Sequence, residues 1–206
     1  MSASDEELFR RYRQGQQEAF AEIVSRHAGQ LLGYLTKMLN NASEAEDVFQ
    51  ECFKKVCLKA EEYDDSKPFK PWLYRIATNL AIDAIRKRQR KPTEISMNSP
   101  LNETESDMVL EQTIEDNQAN PAEQLDLLDR KNLVRQAVDE LPDSQRATLL
   151  MAYFHKMPYK DIAEAMNISV GTVKTHMSRA MRALAKRFPD PEVLEANVHP
   201  VKGAES

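Results

Sequence analysis

The stretch ISVGTVKTHMSRAMRALAKRF, residues 168–188, gathers five permanent cations (Lys174, Arg179, Arg182, Lys186 and Arg187) and no aspartate or glutamate. It lies near the end of a 206-residue chain whose formal net charge is −5. Val173, Met177 and Leu184 recur at helical spacing, and Ser169 is placed to cap the helix they define, over about 169–186. Just upstream, Ile162, Ala163 and Met166 mark the inner face of a shorter helix, with Asn167 at the turn. Asparagine tolerates the left-handed backbone such a turn needs. Two helices joined this way form a helix-turn-helix, and its second helix exposes Lys174, Thr175, Ser178, Arg179 and Arg182. A major groove accepts an α-helix, and the first residues of that helix touch base edges. Ser169, Val170 and Gly171 sit at this leading end, where free N–H groups suit phosphate, and Thr172 follows them. Gly171 carries no side chain where backbones must approach closely. A solvated basic helix in an ordinary bundle is the bland alternative; turn, cap and cation placement together favour DNA.

Working outward, Leu125 to Leu141 repeat at helical spacing up to Pro142, a second helix follows over about 144–155, and Pro158 breaks the chain again. Residues 92–124 lose all periodicity and read as a linker, with one or two transient helical turns at 108–116. Residues 1–91 read as a helical bundle. It has a short helix over 5–14 closed by Gly15 and a long one through Phe20, Ile23, Leu31 and Leu39. A third runs through Val48, Cys52 and Val56 with Ser43 as its cap. A loop over 61–71 follows, and a last helix runs from Trp72 to a basic end before Pro92. The expected fold is all-α: two small helical domains, 1–91 and 125–188, joined by a flexible acidic linker, with a disordered tail over 189–206. Charge follows the same partition. Residues 92–129 hold ten acids and no Lys or Arg, whereas residues 130–188 hold eleven Lys or Arg against five acids. Basic-leaning blocks beside an acidic connector point to a nucleic-acid partner.

Two further stretches carry chemistry. In EAEDVFQECF, residues 44–53, Glu44, Asp47, Gln50 and Glu51 share a polar face opposite Val48, Phe49, Cys52 and Phe53. It reads either as a plain solvated face or as a dock for a basic partner. In SKPFKPWLYRIATNLAIDAIRKRQR, residues 66–90, Lys67, Phe69, Trp72, Tyr74, Arg75, Asn79 and Arg86 mix aromatic rings with cations. That mixture suits unstacked bases, and core packing of the aromatics is the competing reading.

Other classes are disfavoured. GTVKT lacks the upstream glycine of a phosphate-binding loop, and no nucleophile elbow is present. The four histidines are dispersed and no Cys/His quartet has zinc spacing, so neither catalysis nor a cofactor or metal is expected. Cys52 and Cys57 point apart on one helix, which disfavours a disulfide. The longest apolar run is six residues, Leu149–Phe154, far short of a membrane span, and MSASDEELF does not read as a secretory signal; a cytoplasmic protein is expected. A stand-alone helix-turn-helix regulator with an amino-terminal interaction domain remains the alternative.

EAEDVFQECF, PWLYRIATNLAIDAIRKRQR and LPDSQRATLLMAYFHKMPYKDIAEAMNISVGTVKTHMSRAMRAL, in this order with an acidic linker between, resemble the sigma-70 family of bacterial RNA polymerase sigma factors. The likeness is to the small extracytoplasmic-function type with two domains. The resemblance implies that Asp47, Gln50 and Glu51 dock on the β′ subunit of the polymerase core, which also has a β subunit among the partners. It implies that the 62–71 loop captures a flipped base of the −10 promoter strand, with Lys67, Phe69, Trp72, Tyr74, Arg75, Asn79 and Arg86 on that DNA-binding surface. It implies that Lys174, Thr175, Ser178 and Arg179 read the −35 element, with Ser169, Gly171 and Thr172 on the same DNA-binding surface and Arg182 nearer the backbone. The linker matches the segment that runs through the active-site cleft. An anti-sigma factor is a further implied partner, and no membrane insertion is.

Overall fold

The computed structural model describes residues 3–90 and 132–188. Its helices are α1 (Asp5–Arg13), α2 (Gln17–Leu39), α3 (Ala42–Leu58), a 3-10 turn (Ala60–Glu62), α4 (Phe69–Arg90), α5 (132–139), α6 (Asp143–Tyr153), α7 (Tyr159–Met166) and α8 (Val170–Arg187). No strand occurs among the described residues. The expected linker, the 108–116 turns, the start of the helix at Leu125 and the tail lie outside them.

Local chemistry sets each boundary. Ser4 Oγ accepts from Glu7 N at 3.2 Å to start α1, and Gly15 takes φ +95° just past its end. Asn40 ends α2 in the left-handed region, and Asn41 Oδ1 then accepts from Glu44 N at 3.0 Å to start α3. The cap is therefore Asn41, two residues before the expected Ser43. Two consecutive asparagines turn the chain: one takes the left-handed turn and the other offers its side-chain oxygen. The expected loop over 61–71 is also shorter. The 3-10 turn occupies its start, and α4 begins at Phe69, with Pro71 in the first turn, where its missing N–H costs little.

α1 to α4 enclose a core of Phe9, Ile23, Leu31, Leu35, Met38, Val56 and Leu73. Tyr34 crosses it with its hydroxyl 2.7 Å from Thr78 Oγ1, which satisfies both buried groups. In the carboxy-terminal group, Val173, Ala180 and Leu184 of α8 are fully buried, the last two against Ala137, Leu141 and Leu149.

The two groups pack on each other. α6 lies on α2 and α7 on α4, and one hydrophobic cluster runs from Phe9 through Leu150 and Ile162 to Val173. Arg146, 8% exposed, bridges the groups. Its Nη1 donates to Met38 O at 2.8 Å, at the carbonyl end of α2, and its Nη2 donates to Asp139 O at 2.9 Å. A cation is favoured at a helix carboxy-terminus. Arg135 donates to Asn40 Oδ1 at 2.8 Å beside it.

Candidate nucleic-acid interface

α8 presents the basic face that its sequence implies. Ser169 Oγ accepts from Thr172 N at 3.0 Å and caps the helix, while Asn167 at φ 54° makes the turn from α7. Ser169, Gly171, Lys174, Thr175, Ser178, Arg179 and Arg182 are all exposed, and Thr172 is half-buried. Thr175 Oγ1 donates to Gly171 O at 2.9 Å, which fixes its rotamer and leaves lone pairs facing outward. A Cβ built on Gly171 meets only Ser169 Oγ, at an ordinary 3.6 Å. Nothing inside the protein therefore requires glycine there, and the bare backbone faces solvent. His176 is half-buried, with Nδ1 enclosed, and stands apart from this exposed row.

α4 divides its seven expected residues into two sets. Arg75, Asn79 and Arg86 lie four and seven residues apart, close to whole turns, on the side away from the core. Asn79 and Arg86 are exposed and Arg75 is half-buried. Phe69, Trp72 and Tyr74 are buried instead, at 0%, 9% and 0% exposure. The expectation that these rings offer open faces to bases does not hold in this arrangement. Phe69 and Trp72 pack with Phe9 at centroid distances of 5.0 and 5.5 Å, and Tyr63 closes the group at 5.2 Å from Phe9. Four aromatic rings gain more by mutual packing than by facing water.

That cluster anchors the loop before α4. Asp64 Oδ1 accepts from Ser66 N at 3.0 Å, an Asx turn, and Tyr63 Oη donates to Lys67 O. Arg13 pairs with Asp65, and Glu6 Oε1 accepts from Phe69 N at 3.0 Å, reaching across from α1. The Ser66 hydrogen bonds hold the Asp64 carboxyl below its ordinary range. The loop carrying Lys67 is thus fixed from four directions before any ligand arrives. Sequence reading missed Glu6 and Arg13, which are distant in the chain and carry no local motif.

On α3, Asp47 and Gln50 are exposed and Glu51 is half-buried, 3.8 Å from Lys54. Glu44 belongs elsewhere: Arg88 Nη1 of α4 donates to it at 2.9 Å. The thiols Cys52 and Cys57 are free, and burial pushes Cys52 up to about 12, so it stays protonated at neutral pH. Among the described residues no cluster of His, Cys, Asp and Glu suits a metal, and no helix is long and apolar enough to cross a membrane.

The chain matches the family model for sigma-70 region 2 over residues 23–91 and that for sigma-70 region 4 over residues 131–184. It is 35% identical over 178 residues to the ECF RNA polymerase sigma factor SigW of Bacillus subtilis, covering 86% of this chain and 93% of the relative. It is 30% identical to the RNA polymerase sigma-H factor of Pseudomonas aeruginosa, covering 88% and 92%. Among solved structures it is similar to CnrH in complex with the cytosolic domain of CnrY, with a TM-score of 0.63 at 21% identity over 89% and 96% of the two chains. A second is the sigma factor RpoE in complex with the anti-sigma factor NepR from Bartonella quintana, with a TM-score of 0.57 at 21% identity over 82% and 96%. Two regions matched in order, with nearly the full length of its relatives covered, make this chain a member of the ECF type of the sigma-70 family of RNA polymerase sigma factors.

Proposed function

We propose that the chain joins the RNA polymerase core and directs it to promoters, with no chemical step of its own. Asp47, Gln50 and Glu51 of α3 dock on the β′ subunit of a core that also contains the β subunit. Lys174, Thr175, Ser178 and Arg179 of α8 read the −35 duplex, with Ser169, Gly171 and Thr172 at its leading end on the same DNA-binding surface and Arg182 nearer the backbone. Lys67, Arg75, Asn79 and Arg86 hold the −10 strand. Phe69, Trp72 and Tyr74, all buried, support that surface from beneath. Melting follows because the separated strand is bound more tightly than the closed duplex.

The observation that carries this reading is the family match over both regions of one chain. Exposed basic faces on α4 and α8 support it. An anti-sigma factor fits as a regulatory partner, since both similar solved structures hold such complexes or the cytosolic domain of a bound partner.

A gel shift with and without core polymerase tests the reading. The chain alone is expected to bind promoter DNA weakly and the assembled holoenzyme tightly and selectively. Tight selective binding by the chain alone would instead identify a stand-alone regulator.

A further inference from the structure

One face of α1 serves the loop that precedes α4. Phe9, Arg10 and Arg13 follow Glu6 by three, four and seven residues, so the four line one side of the helix. All four meet the loop or the start of α4. Arg13 Nη2 donates to Asp65 Oδ2, and Arg10 Nε lies 3.8 Å from the same oxygen. Phe9 packs on Tyr63, Phe69 and Trp72. Glu6 Oε1 accepts from Phe69 N at 3.0 Å, which caps α4 from outside its own segment. The local chain offers no such cap: Lys67 and Pro68 carry no side-chain acceptor, and the first turn of α4 holds no acid. α1 is itself firmly seated. Leu8 and Phe9 are buried, Asp5 Oδ1 accepts from Arg26 Nη1 at 3.0 Å, and Asp5 Oδ2 lies 2.7 Å from His27 Nε2.

From this arrangement we infer that Glu6 and Arg13 are positioning residues for capture of the −10 strand, acting through the loop around Lys67 rather than on DNA. The inference rests on the reading of that loop proposed above. Both residues lie ahead of the sigma-70 region 2 match, which begins at residue 23. Stability alone does not account for the Arg13–Asp65 pair. Arg13 Nε and Asp65 Oδ1 are enclosed and find no hydrogen-bond partner among the described residues. A partly buried ion pair left incomplete in this way adds little to stability. The rings around Phe9 already tie α1 to the loop. The pair instead fixes the loop's course and neutralises an acid two residues from Lys67, where an anionic strand must arrive. A loop held in shape by a rigid helix loses less freedom when its ligand binds.

The test uses holoenzyme and a promoter that it selects, with the −10 non-template strand unpaired and each of its bases replaced in turn by an abasic site. For the native chain, one such site should weaken binding sharply. Arg13→Gln, Asp65→Ala and Glu6→Ala should each weaken binding to the intact strand about tenfold, matching a fall of the competent loop to about a tenth of molecules. The same three variants should bind that abasic strand as the native chain does, because capture no longer contributes there. Glu6→Gln keeps an acceptor for Phe69 N and should behave as the native chain on both strands. Circular dichroism checks that the helices persist. Equal losses on intact and abasic strands overturn the inference and mark a general structural role. No loss on either strand also overturns it, and leaves the reading of the loop standing. Tighter binding by Asp65→Ala decides against positioning and for charge alone, since that change removes an anion. A native chain indifferent to every abasic site refutes the reading of the loop, and the inference with it.

Discussion

Acid should open the molecule through one histidine. His155 Nδ1 faces the Tyr74 hydroxyl, its Nε2 is enclosed without a partner, and its ring lies 5.6 Å from Tyr34. Burial, then the charges of Lys70 and Lys37, lowers its pKa from 6.5 to about 4. The closed form therefore binds a neutral imidazole, whereas an open form returns it to water. Closure is fully supported above pH 6.5 and loses support as pH falls from there toward 4. Between pH 7.5 and 5.5 the open form gains about 1.4 kcal/mol, about tenfold in the open-to-closed ratio. Asp161 and Asp139, both raised by burial, work in the opposite sense, because acid then favours the closed form. Their effect sets in above the ordinary value of 3.8, as pH falls through the raised values, and is complete below 3.8. The assay is energy transfer between dyes at positions 46 and 185 across this pH range, in the native chain and in His155→Gln. Transfer should fall with acid in the native chain and hold level in the variant. A flat native profile, or an equal fall in both, would refute the reasoning.

Gly171→Ala should leave stability unchanged or raise it by up to about 1 kcal/mol, because alanine is the better helix former and the added methyl meets no clash. The same change should weaken −35 binding by the holoenzyme, whereas unaltered binding would mean that no phosphate backbone approaches there. Arg179→Ala should cost about 1–3 kcal/mol at a single −35 base position if it reads guanine; a uniform loss across all sequences marks a phosphate contact instead. Asp47→Ala with Gln50→Ala should lower core affinity at least about tenfold by titration with labelled core, with helix content intact. Trp72→Ala should destabilise the amino-terminal group by about 3–5 kcal/mol in denaturant unfolding, as a buried ring does, so both core binding and open-complex formation decline together.

Periodicity carried most of the helices, because each buries one face and exposes the other. The α7–α8 turn was legible residue by residue, since its cap, its left-handed asparagine and its inner face are all local signals. Boundaries failed where two local signals competed. Asn41 and Ser43 both cap well, and only the path of the chain out of Asn40 decides between them. The aromatics of 69–74 read equally as core or as stacking platform; Phe9 of α1 packs on Phe69 and Trp72, and Tyr34 of α2 and His155 pack on Tyr74, all from far away in sequence. Contacts between the two groups left the faintest trace. Arg146 stands just before an apolar run, but nothing local marks it as buried or names Met38 as its partner.

The central claim is that this chain gives polymerase core a choice of promoter. Transcription in vitro by core enzyme on a pool of randomised promoters, with and without the chain, measures it most directly. The account predicts initiation from a subset sharing both a −35 and a −10 sequence, present only when the chain is added. Initiation from the same templates at the same level without the chain would contradict it.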